Sequence, residues 1–172
     1  MDGLIVARVL HVVGVVLWIG GVALVTTVLL PSVRRIAELE ARVRLFESIE
    51  RRFAAQARVT TLVTGASGLY LVHALDLWRR FASVEYWWMH AMVAVWLLFT
   101  LMLFVIEPLV HRELSTRSTK GRGAGGFGSE AGRDSGRAFA RIVRLHWVLL
   151  GASLATVAGA VAGSHGYLLF AR

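Results

Sequence analysis

Leu10-His11-Val12-Val13-Gly14-Val15-Val16-Leu17-Trp18-Ile19-Gly20-Gly21 decides the fold. The run carries no Asp, Glu, Lys or Arg and lies inside an apolar stretch from Leu4 to Leu30, interrupted only by Arg8. An apolar run of roughly 18 or more residues is long enough to cross a bilayer as a helix. Lipid offers no hydrogen-bond partners, so a single crossing segment must satisfy its own backbone, and helix does that. Into this lipid-soluble segment the sequence sets an ionisable ring, His11. Such side chains are costly inside a membrane and therefore point to function. Spacings of 3 and 4 put His11, Gly14, Trp18, Gly21 and Val25 on one helix face. Glycines on that face let a neighbouring helix or a flat ligand come close.

Three further apolar runs follow, at about 59–75, 86–106 and 139–170. The chain has 172 residues, 56% of them hydrophobic, against roughly 45–50% in soluble domains. The reading is an all-α, integral membrane four-helix bundle of one domain, with its first helix at about 4–30. No cysteine is present, which excludes disulfides, thiolate metal sites and iron–sulfur clusters. The net charge is +8. The basic residues lie between apolar runs, where they set topology, and no nucleic-acid recognition module is legible. The first apolar run is too long for the core of a signal peptide and no A-x-A cleavage site follows it, so it reads as a retained helix.

The connecting segments differ. Residues 32–58 hold seven arginines against four glutamates, and Ile36, Leu39, Val43, Phe46, Ile49 and Phe53 recur at helical spacing. That predicts an amphipathic cytoplasmic segment at about 36–56, lying on anionic headgroups or extending the second helix. Pro31 is expected to end or kink the first helix. Residues 112–138 are rich in Gly, Ser, Thr and Arg and predict a flexible cytoplasmic loop. The third helix opens on Tyr86-Trp87-Trp88, the aromatic pattern of a membrane interface.

The two long connections hold seven and eight of the 19 Lys and Arg residues, while Arg8, Arg79, Arg80 and Arg172 fall on the other side. The positive-inside rule then places both connections in the cytoplasm and both termini outside a bacterial-type inner membrane. On that orientation each helix brings one histidine to the outer side. His11 lies three residues in from Arg8, His73 three from Asp76, His90 five from Glu85 and His165 seven from Arg172. At about 1.5 Å per residue they form a layer roughly 5 to 10 Å deep.

Neutral imidazole binds haem iron, copper and zinc, and helix bundles build such sites from facing helices. Haem b is the first expectation. It needs two axial ligands, with His11 and His90 the best pair and His73 with His165 the second choice. Gly14, Trp18 and Gly21 are candidate cofactor contacts, and Gly65 and Gly68 add candidate space for a porphyrin. Packing is the alternative role for Trp18. Copper is the second expectation, with Met89 and Met92 flanking His90 as added ligands. His111 and His146 lie near the inner boundary, where they read as interfacial residues or as a second haem pair. Glu107 reads equally as a proton-handling carboxylate or as a headgroup-level carboxylate at the helix end.

The pattern His-x6-Trp-x-Gly-Gly at His11–Gly21 resembles the start of the copper-resistance CopD-like membrane proteins. The whole layout resembles the HemJ-type protoporphyrinogen oxidases, with Glu50-Arg51-Arg52-Phe53 and Gly68-Leu69-Tyr70-Leu71 as the corresponding pieces. The resemblance implies a four-helix membrane bundle that binds haem b or copper, with His11 the ligand carried over. Met92 stands where the HemJ-type proteins have a lysine, and Arg144-Leu145-His146-Trp147 replaces their Asn-Glu-x-Pro-like element. The expectation is therefore a small b-type cytochrome that moves electrons at the outer side, to or from quinone or a periplasmic carrier. Porphyrinogen oxidation, copper delivery and a non-catalytic membrane subunit are the alternatives.

Overall fold

The structure, a computed structural model, describes residues 2–36, 38–109 and 130–167. Among them the chain forms four long helices and no strand: α1 (Asp2–Arg34), α2 (Leu39–Ala74), α3 (Val84–Leu109) and α4 (Glu130–Ser164). Three stretches are long and apolar enough to cross a membrane: all of α1, all of α3, and Val143–Ser164 of α4. In α1 the side chains of Ile5, Val6, Val9, Val12, Val13 and Val16 are exposed, whereas Ala7, Gly14, Trp18, Val22 and Val25 are buried. A continuous exposed apolar face of this kind suits lipid and would not suit water.

Pro31 does not end α1. The helix widens into a π segment at Val25–Leu29, where the Leu30 N–H donates to the Val25 carbonyl, and then continues to Arg34. A proline lacks an N–H and its ring crowds the carbonyl four residues back. The wider turn offers relief from that clash. Thr26 and Thr27 return their hydroxyls to the carbonyls of Val22 and Ala23, 2.7 and 2.8 Å away. The other proline of the chain, Pro108, has the same setting. A π segment spans Met102–Ile106, and the Glu107 N–H donates to the Met102 carbonyl. Each π segment thus stops two residues short of a proline.

The amphipathic segment and the second apolar helix are one unbroken helix, α2, so of the two expected arrangements the segment takes that of an extension of the second helix. From Val59 to Ala74 it carries no Asp, Glu, Lys or Arg, a length of about 24 Å. It runs antiparallel along α1. Phe53 lies against Gly21, Thr64 against Gly14 and Tyr70 against Gly3. Asp76 takes a left-handed conformation (φ 50°) and turns the chain into a 3-10 segment, Leu77–Ala82, before α3. At the start of α4 the expected loop is shorter than 112–138, because 130–138 are helical, and α4 closes at Ser164. Residues 112–129 of that loop and residues 168–170 of the expected fourth helix lie outside the described residues.

α1 packs chiefly on α2 and α3 on α4, which gives two hairpins. They cross-pack at the π segments: α2 meets that of α3, and α4 meets that of α1. The core between them is Trp18, Val22, Phe99, Leu149 and Leu150. Trp18 and Phe99 meet edge to face with centroids 4.9 Å apart, a geometry that adds about 0.5–1.5 kcal/mol to the burial itself. Glycines seat aromatic rings of neighbouring helices, Gly65 that of Trp96, Gly159 that of Trp87 and Gly163 that of Trp88.

Candidate functional site

His11 faces α2 from the N-terminal half of α1 and is half-buried. Its Nδ1 lies 3.0 Å from the Thr64 carbonyl oxygen and 3.3 Å from Ser67 Oγ. A carbonyl can only accept, so Nδ1 carries the proton and donates. Ser67 sends its own hydroxyl proton to the Val63 carbonyl, 2.6 Å away, and is free to accept a share of the Nδ1–H. Gly68 completes the seat: a Cβ there would stand 3.0 Å from His11 Cε1 and 3.2 Å from Nδ1. The small residues Thr64, Ser67 and Gly68 of α2 therefore fix both the position and the tautomer of this ring. Nε2 has no hydrogen-bond partner among the described residues.

The other three histidines of the expected layer have separate settings. His90 is exposed, its Nε2–H donates to the Phe81 carbonyl at 3.0 Å, and Phe81 packs edge-on against its ring with centroids 5.4 Å apart. His165 is exposed and donates from Nδ1 to the Val161 carbonyl one turn back, at 2.8 Å, with Ser164 Oγ at 3.3 Å. His73 is exposed at the end of α2. Among the described residues no group of three or more His, Asp or Glu side chains gathers as a metal site. Met89 is buried and Met92 half-buried, whereas His90 between them turns outward to Phe81.

The glycines expected to leave room for a porphyrin are filled from the neighbouring helix. A Cβ at Gly14 would lie 2.5 Å from Thr64 Oγ1, one at Gly21 would strike the Phe53 ring, and one at Gly65 would strike Trp96. Trp18 belongs to the core, 3% exposed. These residues act first in helix packing, and among His11, His73, His90 and His165 only His11 combines a hydrogen-bonded ring with partial burial against a neighbouring helix.

Near the basic end, Arg58 of α2 reaches α3. Its Nη2 is 2.9 Å from Glu107 Oε1, and its Nε donates to the Leu103 carbonyl at 3.3 Å. That carbonyl lies in the π segment, five residues before Pro108, which has no N–H to offer it. Glu107, read as a proton-handling candidate, is thus an ion-pair partner. Sequence periodicity missed Arg58, and the missing N–H of Pro108 was the signal. His146 lines the central cavity of the bundle with Trp18 and Phe99, and His111 lies outside the described residues. No family model matches this chain, and neither a curated protein nor a solved structure does.

Proposed function

We propose that the chain is a haem-b-binding membrane protein that crosses a bacterial-type inner membrane four times, with both termini outside, and carries electrons at the outer side. The observation behind this reading is the His11–Thr64 bond. A neutral imidazole that donates from Nδ1 to a carbonyl presents its lone pair at Nε2, the state in which histidine ligates iron, and such a bond also orients the ring. When bound, the haem supplies one-electron chemistry. His11 would hold it from α1, while Thr64 and Ser67 keep the Nε2 lone pair free by holding the proton on Nδ1. His165 is the favoured second ligand, because it has the same tautomer. The Nε2–H of His90 is engaged by Phe81. The four-span topology is supported by α2 lying antiparallel along α1 from Phe53 to Tyr70 and by the basic connections.

The test is a reduced-minus-oxidised visible spectrum of the purified full-length protein, with alanine at each outer histidine in turn. Low-spin b-type bands are expected in the wild type. They should vanish in His11→Ala, convert to a high-spin form in His165→Ala and persist in His90→Ala. A colourless protein expressed with ample haem sinks the cytochrome reading. Bound copper in that protein, found by metal analysis, would favour the copper-delivery reading.

A further inference from the structure

Each hairpin is closed to its end, but the two hairpins part from one another. On α1 the stripe that faces α2 stays covered: Tyr70 lies on Gly3, Thr64 on Gly14 and Phe53 on Gly21, and Ala7 is buried. On α4 the stripe that faces α3 is covered by Trp87 and Trp88, which lie on Gly159 and Gly163. A second stripe of α1 behaves differently. Arg8, Val12, Val15, Ile19, Val22 and Thr26 recur at spacings of 4 and 3 and share one face. Its C-terminal end is buried against the other hairpin. Thr26 and Val22 are buried, Val22 shares a core with Leu149 and Leu150, and α4 meets the π segment that holds Thr26. Toward the N-terminus the cover is lost: Ile19 and Val15 are half-buried, Val12 is 58% exposed and Arg8 is exposed. α4 shows the same gradient. Leu150 and Ser153 are buried, Val157 is half-buried and Val161 is 57% exposed. α1 and α4 therefore meet from the π segment to the core and diverge toward the N-terminus of α1. They leave a wedge with valine walls, open sideways to the bilayer.

Arg8 stands at the mouth of the wedge. Trp18 and Phe99 meet in the core, and α1 and α3 run parallel, because each lies antiparallel to α2. Ten residues before this pair come Arg8 on α1 and Met89 on α3, next to Trp88. Arg8 is thus level with the Tyr86-Trp87-Trp88 belt, the depth of lipid headgroups. It is the only Lys or Arg between Met1 and Leu30. Among the described residues its guanidinium has no ion pair and no hydrogen bond. A wedge left empty would cost both walls their dispersion contacts, and a cation at its mouth selects what fills it. Guanidinium matches a phosphate with two parallel N–H···O bonds, and a headgroup of net negative charge is attracted over a neutral one.

We propose that the wedge between α1 and α4 holds one anionic phospholipid, with its phosphate on Arg8 and an acyl chain along the valine walls. The lipid does at this end what Leu149 and Leu150 do deeper in the bundle, filling the seam between the hairpins. The site does not rest on haem binding.

The test uses the full-length protein in nanodiscs of equimolar phosphatidylglycerol and phosphatidylcholine, extracted into mild detergent for native mass spectrometry. One retained phosphatidylglycerol per chain is expected in the wild type. Arg8→Gln should lower its preference over phosphatidylcholine about fivefold, and Arg8→Lys should keep part of it. Val12→Trp fills the wedge without changing the charge and should displace either lipid. Arg79→Gln removes an exposed arginine of the connection between α2 and α3 and should change nothing. Retention that is equal in the wild type and Arg8→Gln, or unchanged in Val12→Trp, overturns the proposal. The same loss in Arg79→Gln overturns it as well, since it would mark a diffuse surface charge. So does a wild-type spectrum without retained lipid, whether haem, a second copy of the chain or nothing is bound.

Discussion

Two glycines that each open a Gly-Ala-Ser run, Gly65 of α2 and Gly151 of α4, carry opposite constraints. A Cβ at Gly65 would stand 2.5 Å from Trp96 ring carbons, whereas one at Gly151 would meet nothing within 4 Å. Gly65→Ala must push the Trp96 indole away from the Thr61 carbonyl, and overpacking of this kind costs about 1–3 kcal/mol. Gly151→Ala removes a flexible residue from a helix interior and should be neutral or stabilising, by up to about 1 kcal/mol. Unfolding of the two variants in mixed micelles checks this, and equal destabilisation by both would contradict the packing described. The face that holds His11 was legible in the sequence, since periodicity alone set it beside Gly14 and Trp18. The settings of His90 and His165 were not. Depth follows from counting residues, but His90 takes its partner from Phe81 across a 3-10 turn, and His165 bonds back to its own helix at a frayed end. Neither is encoded in helical spacing.

At the scale of the element, proline was expected to break α1, and instead each proline lies just past a π segment in a continuing helix. The rule about the missing N–H held, but the wide turn absorbs the clash and a side chain from the other hairpin takes one freed carbonyl. Arg58→Met should therefore cost about 1–3 kcal/mol, since it abandons both the Leu103 carbonyl and Glu107. In a Pro108→Ala background the loss should be smaller, because the restored backbone N–H competes for the same carbonyls. A double-mutant cycle reads the coupling, and strictly additive losses would show that Arg58 does not serve the proline. The continuity of α2 was hidden for a different reason. Its first half is too charged to resemble a spanning helix, and its apolar half alone is short for a bilayer, so the sequence left a separate surface helix and an extension of the second helix both open.

For the whole molecule, class and membrane character were legible from apolar run lengths. Topology rests on the charge of the connections and can be tested cleanly, because the chain has no cysteine of its own. Val84→Cys, at a position 72% exposed at the start of α3, should react with a membrane-impermeant maleimide added outside intact cells. Ser118→Cys, in the long basic connection, should react only after permeabilisation. The reverse pattern would invert the protein in the membrane and move the histidine layer to the cytoplasmic side.

A π turn uses one residue more than an α turn needs, so α1 and α3 each have one position of slack in their length. Tolerance to shortening should follow that slack. Deleting Thr27 leaves every residue from Asp2 to Leu24 in phase with α2, and the folded yield should survive. Deleting Val16 turns His11 about 100° relative to Trp18 and should abolish it. A scan of single-residue deletions along α1, scored by folded yield, would then mark Val25–Leu29 as the place where the lineage could gain or lose a residue without losing the bundle.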